Sequence, residues 1–194
     1  MTPTLIVMVK EPHPGRVKTR LGKGIGMTNA AWWFRHQTAR LLRRVIDPRW
    51  HTVIAVAPDR EGLASRIWPA HLPRTPQGAG NLGDRMARLM RGARHGPVIV
   101  VGADVPGITP VHIARAFTKL ASADAVIGPA PDGGYWLIGL KRTAAFPMHL
   151  FVNVRWSSEH ASADTIASAP HLRWATADTL HDVDTAADLA PETR

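Results

Sequence analysis

The sequence predicts an α/β fold, a three-layer α/β/α sandwich built on a mostly parallel sheet, and three observations carry that expectation. Short apolar runs recur at 5–9, 52–56, 97–101 and 124–128, and continuous β-branched runs mark strands buried on both faces. Helical patterns separate these runs, and the order β-α-β-α-β-α-β places helices on both sides of a parallel sheet. No long linker, low-complexity stretch or internal repeat breaks the alternation, so the 194 residues read as one domain, 1–194.

The first strand is Leu5-Ile6-Val7-Met8-Val9. A basic, glycine-punctuated loop follows, Lys10-Glu11-Pro12-His13-Pro14-Gly15-Arg16-Val17-Lys18-Thr19-Arg20-Leu21-Gly22. Thr28 then opens a long helix in which Ala31, Phe34, Thr38, Leu41, Leu42 and Val45 share a face, and Trp32 and Trp33 are expected to pack. Pro48 stops it. After the strand at 52–56 and Pro58-Asp59 comes a weaker helix, 61–67, and then a proline-rich passage. In the turn Gln77-Gly78-Ala79-Gly80-Asn81, Asn81 can cap a helix whose buried face is Leu82, Met86, Leu89, Met90 and Ala93.

The run 97–101 has the composition of a central strand and emerges into Gly102-Ala103-Asp104-Val105-Pro106. Thr109-Pro110 reads as an N-cap with proline at the first helical position, ahead of Ile113, Phe117 and Leu120. The strand at 124–128 leads to Pro131-Asp132-Gly133-Gly134-Tyr135. A helix at 158–168 and a short strand at 172–174 precede Asp182-Val183-Asp184-Thr185 and Asp188.

Composition narrows the chemistry. Zero cysteines exclude disulfides, thiolate metal sites and cysteine nucleophiles. The net charge of +9 is uneven: residues 1–50 carry ten Lys and Arg against Glu11 and Asp47, whereas 150–194 carry seven acids against three arginines. A basic half facing an acidic end suits an anionic substrate held with a metal ion. Nucleic acid is disfavoured, because no helix-turn-helix, zinc-finger or RNA-recognition signature accompanies the charge. The N-terminal apolar run is too short for a signal peptide or membrane span, so a soluble, cytoplasmic protein is expected.

Ligands of open α/β sheets bind beyond the carboxyl ends of the strands. The basic loop after strand one and Asp104 after the central strand both fall there. A strand, a loop rich in glycine and cations (Lys10, Arg16, Lys18, Arg20) and a helix together make a phosphate cradle, although a solvated surface loop has the same composition. Asp104 suits a Mg²⁺ ligand, since Mg²⁺ takes one or two carboxylates plus substrate phosphates; a turn cap before Pro106 is the plain alternative. Asp182 and Asp184 bracket Val183 and project to one side if extended; alternatively Asp184-Thr185 caps a helix. The turn at Asp132, Gly133, Gly134 and Tyr135 reads either as a hairpin connection or as a close backbone approach to substrate. Trp156, before two serines, can line a pocket. No serine-nucleophile elbow, Walker loop or dinucleotide fingerprint is present.

Five motifs stand in order: Lys10-x-Pro-x-Pro-Gly15-x-Val-Lys18-Thr19-Arg20-Leu21, Asn81-Leu82-Gly83-Asp84-Arg85-Met86, Gly102-Ala-Asp104-Val-Pro106, Gly128-Pro129-Ala-Pro-Asp132-Gly-Gly-Tyr135 and Asp182-Val-Asp184-Thr185. Together they resemble the glycosyltransferase-A-like family of radical-SAM/selenodomain-associated transferases. More distantly they are similar to the nucleotidyltransferases of molybdenum-cofactor and phospholactate guanylylation. The resemblance implies a nucleotide-diphospho-sugar transferase fold and Mg²⁺ or Mn²⁺ as cofactor. It also implies a nucleotide and a small-molecule acceptor as partners. By motif position it implies phosphate-binding roles for Lys18 and Arg20, metal ligation by Asp104 and Asp184 with Asp182 in reserve, and substrate contacts from Gly83 and Arg85. Two departures stand out. Pro12-x-Pro14-Gly15 replaces a glycine-rich opening, so the cradle relies on side chains, and 186–187 lack the Pro-Glu of relatives.

The expected function is therefore metal-dependent transfer from a nucleotide donor, nucleotidyl transfer foremost, to a small phosphorylated or hydroxyl acceptor. Glycosyl transfer from a nucleotide sugar is the alternative, set second because only one aspartate follows the central strand. A non-catalytic nucleotide or metabolite sensor is the third.

Overall fold

The computed structural model describes residues 1–189; the end of the expected domain, 190–194, lies outside the described residues. Among the described residues seven strands form one sheet: β1 (Thr4–Lys10), β2 (His51–Ala57), β3 (Arg74–Pro76), β4 (Val98–Gly102), β5 (Ala125–Pro129), β6 (Tyr135–Leu140) and β7 (Trp174–Thr176). Their spatial order is β3-β2-β1-β4-β6-β5-β7. Pairs β1–β2, β1–β4, β2–β3 and β5–β7 are parallel, and only β6 runs against its neighbours.

Among the described residues six α-helices cover the sheet: α1 (Thr19–Ile25), α2 (Met27–Val45), α3 (Asp59–Ala64), α4 (Leu82–Gly92), α5 (Pro110–Lys119) and α6 (Ala161–Ala167). The period-two alternation of the strands sorts the layers. Leu5, Val7, Val9, Ile54, Val56, Ile99 and Val101 pack against Phe34, Leu41, Leu42 and Val45 of α2 and Ile113 and Ala116 of α5. Ile6, Ala55, Val98 and Val100 pack on the other side against Met86, Ala87, Leu89 and Met90 of α4 and against Leu150 and Phe151. Each fully buried aliphatic side chain stabilises the fold by about 1.5–3 kcal/mol. The two caps form as expected in position. Asn81 accepts from the Asp84 N–H at 3.0 Å while Asp84 accepts from the Asn81 N–H at 2.9 Å, and Pro110 opens α5 behind Thr109.

The structure corrects several expectations. The basic loop is shorter than expected, because residues 19–25 form α1. The helix expected at 61–67 is α3, Asp59–Ala64; that expected at 158–168 is α6, Ala161–Ala167; and the short strand expected at 172–174 is β7, Trp174–Thr176. The turn at 131–134 joins β5 to β6 as an antiparallel hairpin. Trp32 is 58% exposed, stacked on His36 one turn later at 5.5 Å, and Leu82 is likewise on the surface rather than in the α4 face. Among the described residues no helix is long and apolar enough to cross a membrane.

Candidate active site

The strand order reverses between β1 and β4, and the register pairs Met8 with Gly102, so the segments leaving these two strands emerge side by side. Open α/β sheets bind ligands at such a point. A cleft of about 910 Å³ lies there, lined by the 16–20 segment, the 102–105 segment, the start of α4, the β5–β6 hairpin, residues 156–159, and Asp182 and Asp184.

Three carboxylates meet on its floor. Asp104, Asp182 and Asp184 each offer an oxygen within 4.8 Å of the others. Two features bring the distant C-terminal pair to Asp104. The Val183 N–H donates to the Asp104 carbonyl at 3.2 Å, and the Val183 side chain is buried with Leu21 of α1 and Ala30 of α2, which leaves the flanking aspartates to face the cleft. Asp188 holds the backbone of this segment: its Oδ2 accepts from the Asp184 N–H at 3.0 Å and from the Thr185 N–H at 2.6 Å.

Lys18 occupies the centre of this triad. Its Nζ lies 2.6 Å from Asp104 Oδ2, 2.7 Å from Asp184 Oδ1 and 4.0 Å from Asp182 Oδ2, and its side chain is only 8% exposed. The backbone there is left-handed, with φ of 44°, a conformation that costs an L-residue about 1–2 kcal/mol. Burial works against the ammonium, yet Asp104 and then Asp184 outweigh it by attraction and hydrogen bonding, and the Lys18 pKa is raised. Burial, together with repulsion from Asp104 and Asp184, pushes Asp182 up to about 6. Burial also opposes the charge on Asp184, but Lys18 and Arg20 prevail and its pKa is lowered; Arg20 Nη1 stands 3.2 Å from Asp184 Oδ2. Hard carboxylate oxygens this close together, already gathered around one cation, match the donor set of Mg²⁺ or Mn²⁺.

Of the residues expected at the site, Lys10, Arg16, Lys18, Arg20, Arg85, Asp104, Asp132, Gly134, Tyr135, Trp156, Asp182 and Asp184 line the cleft. Gly15, Gly83 and Gly133 do not, and packing explains the last two. A Cβ on Gly83 would stand 2.6 Å from Phe151 Cβ and 2.7 Å from Trp156 Cζ2, and a Cβ on Gly133 would collide with the Glu159 carbonyl. Gly15 turns the loop at φ 75° with open space around it. Arg85 is aimed by its Nε, which donates to the Gly80 carbonyl at 3.0 Å. Tyr135 is half-buried, and desolvation raises its phenol pKa against a hydrogen bond from Thr165, so it serves as a wall. Trp156 completes that wall between Tyr135 and Phe151, at ring distances of 6.4 and 6.1 Å.

Sequence reasoning missed Gln77, Ser157, Ser158 and Glu159, which also line the cleft. Gln77 ties β1 to β2 through two 2.9 Å bonds from Nε2 to the Val9 and Ala55 carbonyls. Its place at the head of a glycine-rich turn was the available signal. Ser157, with φ of 58°, carries none.

This sheet order, with its floor of carboxylates at the strand carboxyl ends, defines a fold of the nucleotide-diphospho-sugar transferase, or glycosyltransferase-A, type. The chain belongs to the family described as an uncharacterized protein conserved in bacteria (DUF2064), whose pattern matches residues 41–158, more than half of its length. A candidate nucleotide-diphospho-sugar transferase from Desulfovibrio desulfuricans G20 is 30% identical over 97% of this chain and 84% of its own, with a TM-score of 0.84. Rv0371c of Mycobacterium tuberculosis H37Rv, in complex with manganese, is 15% identical over 97% of this chain and 95% of its own, with a TM-score of 0.56. The inositol-1-phosphate CTP transferase of T. maritima is 10% identical over 99% and 93%, with a TM-score of 0.59. The last two likenesses concern the fold alone. No curated protein matches the chain.

Proposed function

We propose that this protein is a metal-dependent transferase that moves the nucleotidyl group of a nucleoside triphosphate onto a small acceptor and releases pyrophosphate. One observation carries the reading: the Asp104, Asp182 and Asp184 carboxylates gather around a cation position in the same cleft that the basic 10–20 segment lines. Asp104 and Asp184 would hold Mg²⁺ or Mn²⁺, with Asp182 beside them. A metal there supplies Lewis-acid neutralisation of the phosphate oxygens. Lys18, released from its carboxylates, and Arg20 would stabilise charge on the α-phosphate and the leaving pyrophosphate, with Lys10 and Arg16 further along the same side. The acceptor oxygen attacks the α-phosphorus as the bond to the bridging oxygen breaks. We further infer a single-domain, cytoplasmic enzyme.

Glycosyl transfer from a nucleotide sugar is the second reading, and the description of the Desulfovibrio desulfuricans G20 relative favours it. A thermal-shift panel separates the two. Nucleoside triphosphates with Mg²⁺ should raise the melting temperature more than nucleotide sugars do, and pyrophosphate should appear once acceptor is supplied. Strong stabilisation by nucleotide sugars alone decides for glycosyl transfer.

A further inference from the structure

The charges lining the cleft are divided across the sheet. On the β3-β2-β1 side stand Lys10, Arg16, Arg20 and Arg85, the last fixed at the Gly80 carbonyl. On the β6-β5 side the lining includes Asp132, Tyr135, Trp156, Ser157, Ser158 and Glu159. Among the described residues, no Lys, Arg or His lines that half. The nearest arginine in sequence, Arg155, is committed to Asp164 through bonds of 2.8 and 2.9 Å. Between the halves lies the carboxylate triad.

We infer that the β6-β5 half takes a hydroxyl compound that carries no phosphate, neutral or cationic, with a flat weakly polar face. This rests on the nucleotide reading above and chooses between the phosphorylated and hydroxyl acceptors that it allows. A phosphate ester needs cationic or N–H donors in its site. Here it would meet the carboxylates of Asp132, which accepts from the Gly134 N–H at 2.9 Å, and of Glu159, which has the His160 ring 3.7 Å away; among the described residues neither forms an ion pair with a lysine or arginine. Carboxylates accept hydrogen bonds from hydroxyl and ammonium groups. The indole of Trp156, half-buried against Tyr135 and Phe151, offers a flat apolar wall to a ring. In the transfer, the acceptor hydroxyl oxygen bonds to the α-phosphorus, the bond from that phosphorus to pyrophosphate breaks, and the hydroxyl proton is released to solvent through the open cleft.

The test uses the whole protein with Mg²⁺ and α,β-methylene analogues of the four common nucleoside triphosphates. Binding of matched pairs is then measured by saturation-transfer NMR: glucosamine and its 1-phosphate, ribitol and its 5-phosphate, choline and phosphocholine. At least one unphosphorylated member should bind about tenfold or more tightly than its ester, as like-charge opposition requires. The surface changes Asp132→Lys with Glu159→Lys should reverse that order while leaving analogue binding in place. Tighter or equal binding of the esters, or no binding of any pair member while an analogue binds, overturns the inference alone. Failure of every analogue to bind overturns the nucleotide reading, and the pairs measured with Mg²⁺ only still report the charge preference of this half.

Discussion

Lys18 answers to two sets of charges, the carboxylates that now surround it and the phosphates it is proposed to meet. Its left-handed backbone and 8% exposure mean the side chain is held in place by the triad rather than by solvent. Lys18→Ala should lower turnover by about 10²–10³, the scale for losing one preorganised charge-stabilising donor. It should also lower the melting temperature without metal, since three carboxylates lose their counter-ion, and Mn²⁺ should then raise that temperature more in the variant than in the parent. Parental turnover in the variant would remove Lys18 from the phosphates. Gly83 makes the opposite kind of demand, for empty space. Gly83→Ala would press α4 onto Phe151 and Trp156, and overpacking of this kind costs about 1–3 kcal/mol, readable as a lower urea midpoint.

At the scale of elements, the strands and capped helices were legible because their signals are local: an apolar run, a cap residue, a proline at N1. Helix α1 was hidden, because Gly22 and Gly24 depress helix propensity. Its reason is tertiary: Gly24 lets α1 approach Ala186, where a Cβ would stand 2.7 Å from that side chain, and Leu21 receives Val183. Strand β6 was hidden differently, because a buried apolar run carries no direction. The aspartates at 104, 182 and 184 were legible as acids, but their convergence depends on the Val183 anchor. Val183→Ala should therefore weaken Mn²⁺ binding by about 10–100-fold, as changes behind metal ligands do, while the chain still unfolds cooperatively; parental Mn²⁺ affinity would detach the anchor from the site. The other sheet edge depends on pH. The Arg173 side chain, hydrogen-bonded to Asp124 at 3.0 and 3.1 Å, holds that carboxyl down at about 2. A depressed carboxylate contributes stability above its unfolded pKa of about 4 that is lost as pH falls toward 2. Amide exchange across β7, corrected for intrinsic rates, should rise through that window in the parent and lose the dependence in Asp124→Asn.

Across the whole molecule, the charge asymmetry of the sequence becomes an asymmetry of one cleft. The +9 net charge gives no hint of the acidic, aromatic half, because that half is assembled from the β5–β6 hairpin and residues 156–159, which are distant from each other in sequence. The two halves should respond differently to salt. Surface charges interact over a Debye length of about 10 Å at 0.1 M and about 3 Å at 1 M. Arg20 is 65% exposed and Arg16 is 67% exposed at the side chain, so much of their attraction for a triphosphate is open to screening. Calorimetric titration of a triphosphate analogue with Mg²⁺ should show affinity falling steadily as salt rises across that range. An uncharged acceptor held by Trp156 and by hydrogen bonds has no charge to screen, so its affinity should stay within about twofold over the same range. Equal salt slopes for both ligands would mean that the charges are not divided between two subsites, and the cleft would have to be treated as one uniformly basic surface.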